Sequence, residues 1–438
     1  MNQTNRSEPG NAMLTVPLGL SDVRVLNTQI NEQGEIIITV ESTLGSTTCQ
    51  HCGREIDAFH QHDEWITIRH LSILGRPTYI RLRPKRYNCG RCAQRKGKQK
   101  VTTTQKLAWH AGKSPYTRPY EEHVLFQLVN STIEDVSVKA GLSWEAVAGI
   151  VDRYINTQVD WEALKSLDVL GIDEIALRKG HRNYVVLITA RLKDGRLKIL
   201  TVLPNREKKT VKKFLRSIPH RLRQTIDAVC VDMWPHYIAA VEAVFGQTVR
   251  ITVDRYHVAQ KYRAAADKLR KQELRRLKKE LSEDEYKKLK GHLWAFRKNK
   301  ADLSSEETDL LERLFAHAPA LETAYNLRED LTAIFETRLN KQAATKKIKA
   351  WRKQVKASGL TCFDAFLTTL DNHLDYITNF FVKRESSGFV EGLNNKVKVI
   401  KRRCYGILNV GHLFQRIFLD LEGYRLFSAG VCSRHHYI

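Results

Sequence analysis

Val169-Leu170-Gly171-Ile172-Asp173-Glu174, Tyr184-Val185-Val186-Leu187-Ile188-Thr189 and Leu197-Lys198-Ile199-Leu200-Thr201-Val202 are short, largely apolar runs, and Lys193-Asp194-Gly195 separates the last two. Asp-Gly tolerates the positive φ angles of a tight hairpin, so the runs read as three antiparallel strands with an acid on the first. Further on, Glu207 to Ile218 has helical spacing, Ala228-Val229-Cys230-Val231 ends in Asp232, and Val249-Arg250-Ile251-Thr252-Val253 ends in Asp254. Short apolar runs separated by helices are buried parallel strands, and α/β sheets bind ligands at the C-terminal ends of such strands. Asp173, Asp232 and Asp254 are therefore expected to converge.

Antiparallel strands carrying the first acid, followed by parallel ones, open a ribonuclease-H-like sheet. We predict a ribonuclease-H-like α/β core whose first part covers 161–260. From Gln260 to about Phe381 the spacing is almost wholly helical, which predicts an all-α insertion domain over 261–385. Within it, Lys261 to Lys279 carries nine basic residues against Asp267 and Glu273, a pattern shared by solvated faces and phosphate-tracking faces. The core resumes over 386–438 with a helix from about Ser387 to Arg403. Phe389, Leu393, Val397 and Ile400 form its apolar stripe, and Glu391, Asn394, Asn395, Lys398 and Arg402 lie opposite. That face sets one carboxylate beside amides and cations, suited to a metal and a phosphate backbone.

Upstream, Cys49-Gln50-His51-Cys52 and Cys89-Gly90-Arg91-Cys92 are two C-x-x-C pairs. Two such knuckles place four thiolates tetrahedrally around one zinc ion, and the alternative is four buried free thiols. Trp65 to Arg69 and Tyr79 to Arg83 alternate as half-buried strands do, with Gly75-Arg76-Pro77 as the turn, so 13–105 reads as a β zinc ribbon after a disordered tail at 1–12. Cys230, Cys362, Cys404 and Cys432 are scattered and read as small core residues. Over 106–160 the period becomes helical. Ser131-Thr132-Ile133-Glu134 has the capping-box pattern and starts a helix towards Lys139; Ala140 to Ser143 turns, and Ser143 caps a helix with Val147, Ile150, Val151, Tyr154 and Ile155 on one face. This is the shape of a DNA-binding helix-turn-helix, and also of a small helical bundle.

The chain has 438 residues, longer than one compact core supports, so the expected architecture is multidomain α+β. Its formal charge of +24 draws polyanions: nucleic acid first, with ribosomal or membrane-surface roles as alternatives. No run is long and apolar enough for a membrane span, so a cytoplasmic, nucleoid-associated protein is expected. Phosphodiester transfer requires an activated nucleophile and a stabilised leaving oxygen in line, which two cations about 3.5 to 4 Å apart supply. Hard carboxylate oxygens select Mg2+ (or Mn2+), two per active site, with Asp173 bridging, Asp232 holding one ion and Glu391 the other.

The ribbon cysteines, the paired helices, Gly171-Ile172-Asp173-Glu174, Val231-Asp232-Met233-Trp234, Val253-Asp254-Arg255-Tyr256-His257 and Ser386-Ser387-Gly388-Phe389-Val390-Glu391-Gly392-Leu393-Asn394-Asn395 occur here in one order. Over its whole length the chain resembles the ISL3 family of insertion-sequence transposases. The resemblance implies a DDE-type enzyme that binds the ends of an insertion sequence and cuts and joins strands, with Asp173, Asp232 and Glu391 catalytic. Asp254 and His257, with Asn395, are expected to support the carboxylates or position DNA, although a histidine at 257 would serve equally as a helix cap. Trp294, with Arg297, resembles a tryptophan that distant relatives stack on a flipped base; core packing is its other reading. Lys398 and Arg402 complete the expected DNA contacts. Implied partners are double-stranded DNA, both transposon ends and target, and a second copy of the chain to synapse two ends. Two rivals remain: a DNA-binding regulator without catalysis, and a nuclease of the same fold that cuts without joining.

Overall fold

The computed structural model describes residues 15–177, 184–289, 291–384 and 388–428, apart from the side chains of 388–391. The expected tail at 1–12, the Ser386-Ser387 pair, the side chains of Phe389 and Glu391, and Cys432 lie outside the described residues. The chain forms two compact units, one from the residues up to Tyr154 together with those from Leu419 onward, the other from Ile155–Phe418. Among the described residues no helix is long and apolar enough to cross a membrane.

In the first unit β1 (Val23–Ile30), β2 (Ile36–Ser42), β6 (Ile66–Ile73) and β7 (Arg76–Leu82) form a sheet in the order β1-β2-β7-β6, with β2 and β7 parallel. Alternation decides its inner face: Ile36, Ile38, Val40, Ile68, Ile80 and Leu82 bury themselves against Leu107 and Trp109. The turn expected at Gly75-Arg76-Pro77 lies one residue earlier. Leu74 and Gly75 both have positive φ, 49° and 76°, as a two-residue hairpin turn demands, and Arg76 and Pro77 already belong to β7. Small sheets of β3 (Thr47–Thr48) with β4 (Glu55–Ile56), and of β5 (Phe59–His62), β8 (Lys85–Asn88) and β9 (Thr102–Thr104), carry the cysteine pairs, the second leading into α1 (Gly90–Arg95).

Helices α2 (Arg118–Leu128), α3 (Ile133–Ala140) and α4 (Trp144–Tyr154) follow. The capping box of α3 is Thr132 with Asp135, one residue beyond the expected Ser131 and Glu134. Thr132 is the last extended residue, so its hydroxyl, not that of Ser131, meets the free N–H groups of the first turn. Gly141 ends α3 at φ 62°, and the Ser143 hydroxyl accepts from the Ala146 N–H at 3.2 Å, capping α4 as expected.

The second unit holds β10 (Val169–Ala176), β11 (Tyr184–Arg191), β12 (Leu197–Leu203), β13 (Ala228–Val231) and β14 (Arg250–Val253) in one sheet, ordered β12-β11-β10-β13-β14. The first three strands are antiparallel, and β13 and β14 run parallel to β10, as the run lengths and the Asp194-Gly195 turn predict. Helices α5 (Lys208–Ser217), α6 (His220–Arg223) and α7 (Pro235–Phe245) link β12 to β13 and β13 to β14. Val211, Leu215, Leu222 and Val241 pack with Leu170, Ile188 and Val229 of the strands.

Directly after β14 the chain enters α8 (Arg255–Glu280), then α9 (Glu283–Lys287), α10 (His292–Arg297), α11 (Ser305–His317), α12 (Pro319–Glu336), α13 (Lys341–Ala357), α14 (Asp364–Thr378), α15 (Phe380–Lys383) and α16 (Gly388–Arg403). Tyr262, Phe335, Trp351, Phe363 and Phe366 anchor a second core, and the Trp351 indole donates to the Leu327 carbonyl at 2.7 Å. These helices are tied to the sheet: the Asn379 carboxamide donates to the Ile251 carbonyl at 2.8 Å. The last helix, α17 (Val410–Phe427), ends within the first unit, where Asp420 accepts from the Asn130 N–H at 3.0 Å.

Candidate active site and metal centre

Strand register brings the acids together. Ile172 of β10 lies opposite Val231 of the parallel β13, so Asp173 is beside Asp232; Val231 lies opposite Val253 of β14, so Asp254 comes next in line. The arrangement differs from the expectation in one respect: β10 continues past Asp173 to Ala176, whereas Asp232 and Asp254 each follow the last residue of their strands.

Each carboxylate is held by its own surroundings. Asp173 is 9% exposed; its Oδ1 accepts from the Glu174 N–H at 2.7 Å and its Oδ2 from the Asn394 carboxamide of α16. Asp232 accepts from the Trp234 N–H at 2.7 Å. Asp254 caps α8 by accepting from the Tyr256 N–H at 3.0 Å. His257 is therefore not the helix cap; it sits in the first turn, with Nε2 3.9 Å from Asp173 Oδ1. Burial pushes the Asp232 carboxyl up to about 6, and the charges of Glu174 and Asp173 add to the push. Burial raises Asp173 as well, against the pull of nearby His257.

Two aligned carboxylates that resist ionisation, Asp173 buried and Asp232 half-buried, form a donor set suited to a cation. Asn394 strengthens this: it is 8% exposed, and its Oδ1 is buried without a hydrogen-bond partner beside Asp173. A neutral hard oxygen next to hard anionic oxygens suits Mg2+ or Mn2+ and does not suit a soft metal. The sequence puts Asn394 and Asn395 together on one polar helix face suited to a metal and a phosphate backbone; the structure separates the two. Asn395 is exposed, as are Lys398 and Arg402. The signal was available: Asn394 borders the Leu393-Val397-Ile400 stripe and so faces the protein, while Asn395 lies a further 100° round.

A second polar group escaped the sequence reading. Arg206 lies 4.6 Å from the Tyr184 ring centre and 4.5 Å from that of Trp234, and pairs with Glu174 at 3.1 Å. It thus fastens the residue after Asp173 to the residue whose N–H orients Asp232. In the helical part, Trp294 is 68% exposed and so is not a core residue, and Arg297 pairs with Asp267 at 3.2 Å. A cavity of about 340 Å³ lies alongside α8, lined by Tyr256, Arg263, Asp267, Phe296, Arg297 and Arg328 among others.

The cysteines meet in the first unit. The sulfur atoms of Cys49, Cys52, Cys89 and Cys92 all lie within 4.8 Å of one another, with 3.9 Å between Cys49 and Cys92 and 3.7 Å between Cys52 and Cys89. Zinc at about 2.3 Å from four sulfurs makes a tetrahedron with edges of about 3.8 Å. Although burial works in the other direction, N–H groups of His51 and Cys52 draw the Cys49 thiol down to about 6, while burial and the three neighbouring sulfurs push the Cys92 thiol up to about 12: four thiols packed this closely cannot all ionise without a cation among them.

Residues 170–417 match a family model, of the ISL3 type of DDE transposase, that is described as a transposase, and residues 45–92 match one described as the zinc-finger of transposases IS204, IS1001, IS1096 and IS1165. The chain is 25% identical to the transposase for insertion sequence element IS1001 of Bordetella parapertussis, across 88% of this chain and 91% of the relative. It is 23% identical to the transposase for insertion sequence element IS1557 of Mycobacterium tuberculosis, covering 74% of this chain and 76% of that one. Among solved structures, the Drosophila P element transposase strand transfer complex aligns with a TM-score of 0.39 at 12% identity, over 70% of this chain and 92% of the other.

Proposed function

The chain belongs to the ISL3 family of DDE transposases, and from that premise we propose that Asp173, Asp232 and Glu391 form its strand-cutting and strand-joining centre. The β12-β11-β10-β13-β14 sheet is, in this reading, a ribonuclease-H-like core interrupted by helices α8 to α15. One observation carries the assignment: Asp173 and Asp232 lie side by side on adjacent parallel strands, and α16 reaches Asp173 through Asn394. Position 391 is one turn before Asn394, and residues three apart in a helix share a face.

Asp173, Asp232 and Glu391 would hold two Mg2+ (or Mn2+) ions, which activate the attacking oxygen and stabilise the leaving one. The protein's own part is orientation. The Glu174 N–H and Asn394 fix both oxygens of Asp173, the Trp234 N–H fixes Asp232, and the Asp254 cap sets the first turn of α8 and with it His257. Such preorganisation removes a reorganisation cost when charge develops on the phosphate.

Transposon ends and target DNA are the substrates. In this reading α3, the Gly141 turn and α4 act as a helix-turn-helix, Lys398 and Arg402 contact the backbone from the exposed side of α16, and Trp294 stacks on an extruded base, supported by its exposure. Two chains synapse two ends in the bacterial cytoplasm, at the nucleoid.

Incubation of the full chain with Mg2+ and DNA bearing the ends of its insertion sequence tests this. The expected products are cleaved ends joined to target DNA, lost in Asp173→Ala, Asp232→Ala and Glu391→Ala while end binding persists. Binding without cleavage would identify a regulator, and cleavage without joining a nuclease. Joining retained in any one variant would remove that residue from the centre.

A further inference from the structure

Lys208, Lys209, Lys212, Lys213 and Arg216 are all cations on α5, a helix of ten residues with no acid in it. At 100° per residue the five fall within an arc of about 140°. Val211 and Leu215 occupy the other side and are fully buried against the sheet core. Lys208, Lys209, Lys213 and Arg216 are exposed and Lys212 half-buried, and no carboxylate among the described residues pairs with any of the five. Like charges crowded this way repel one another, and nothing in the helix offsets that. An anionic partner does.

The helical part of the unit offers a contrast. The basic run on α8 carries its own acids: Asp267 holds Arg270 and Lys271, and Glu273 and Glu280 hold Arg276. Helix α13 has no acid and exposes Lys346, Lys347, Lys349, Lys353 and Lys356, yet among the described residues it reaches the sheet only through Lys341 and Asn379 at Ile251, and no ion pair ties it to a residue next to Asp173 or Asp232. For α5 that link exists. Arg206, two residues ahead of the helix, pairs with Glu174 and lies 4.5 Å from the ring centre of Trp234, so the start of α5 is fastened beside Asp173 and Asp232.

We infer that the outer face of α5 is a binding surface for the phosphate backbone of duplex DNA, leading that backbone to the carboxylate site. The inference rests on the transposase reading. From Lys208 to Arg216 the helix rises about 12 Å. Duplex DNA presents one phosphate per about 3.4 Å of its axis on each strand, so that length faces about three or four phosphates of one backbone, and a fifth side chain can reach the other across the groove. The contacts carry no sequence information; they hold and orient the strand.

The test uses the full zinc-loaded chain and a duplex of random sequence, so that recognition of specific ends does not enter. Binding is followed through a salt series from about 50 to about 200 mM, because log K falls by about 0.9 per neutralised phosphate for each unit of log salt. Changing Lys208, Lys209, Lys212, Lys213 and Arg216 together to Gln is expected to make the slope shallower by about 3 to 4.5. Changing the five exposed α13 lysines to Gln removes the same charge and is expected to shift it by less than about 1. Lysine-to-arginine replacement at the four α5 lysines keeps the original slope. Should the five-fold variant fail to fold, Lys208→Gln with Lys209→Gln, and Lys212→Gln with Lys213→Gln and Arg216→Gln, give the same total in two parts. A slope unchanged in the α5 variants, or one that falls equally in the α13 variant, overturns the inference and leaves the transposase reading intact. No salt-dependent binding by the unaltered chain overturns both.

Discussion

Asn394 makes one hydrogen bond through its Nδ2 and leaves its Oδ1 buried without a partner, a costly arrangement for a buried amide unless something else uses the oxygen. Asn394→Ala should therefore weaken Mn2+ binding by roughly 10- to 100-fold, the usual loss when an orienting partner of a metal ligand is removed, as read by calorimetric titration. Asp232 yields a pH prediction. Its folded carboxyl is raised from 3.8 to about 6, so between those values the folded chain binds more protons than the unfolded one, and this group's contribution to stability falls as pH rises through that window. With cations chelated, Asp232→Asn should stabilise the second unit by about 1 to 3 kcal/mol above pH 6 and by nothing below pH 4, as measured by denaturant unfolding. Saturating Mg2+ should reverse the order of the two proteins. Asp173 and Asp232 were legible in the sequence because each interrupts or ends an apolar run. Asn394 was legible only in part, because its place beside the apolar stripe turns it toward the protein but does not say that it meets Asp173; Arg206 was not, because its role arises from contacts with Glu174, Tyr184 and Trp234, distant in the chain.

Among the elements, the two cysteine knuckles were readable in full, since C-x-x-C spacing fixes ligand geometry locally. Elemental analysis should find about one zinc per chain, and Cys52→Ser should lose it together with the fold of the ribbon, because structural zinc contributes roughly 10 to 16 kcal/mol in small domains. Element ends were harder to read. Ser131 and Thr132 are both capping residues, and only the extended backbone of Thr132 decides between them. Thr132→Ala should cost about 1 kcal/mol and Ser131→Ala far less, in the same unfolding measurement. The β6–β7 turn lies one residue earlier than its sequence suggests for a related reason: Gly75 marks a turn, but Leu74 at positive φ carries no sequence signal.

Across the whole molecule, periodicity gave the order of sheet and helices from Val169 onward, but it gave no sign that the end of α17 belongs with the N-terminal helices. That pairing depends on a close approach. A methyl group at Gly423 would sit 2.5 Å from Val129 Cγ2, so Gly423→Ala should destabilise the first unit by about 1 to 3 kcal/mol, and Val129→Ala in the same chain should recover much of the loss.

The central claim, that Asp173 and Asp232 hold the catalytic cations, is tested most directly by counting Mn2+ bound to the full chain on its end DNA, by paramagnetic resonance of free ion. The account predicts about two ions per chain, and none held tightly by Asp173→Asn with Asp232→Asn. Two tightly held ions in that double variant would contradict it.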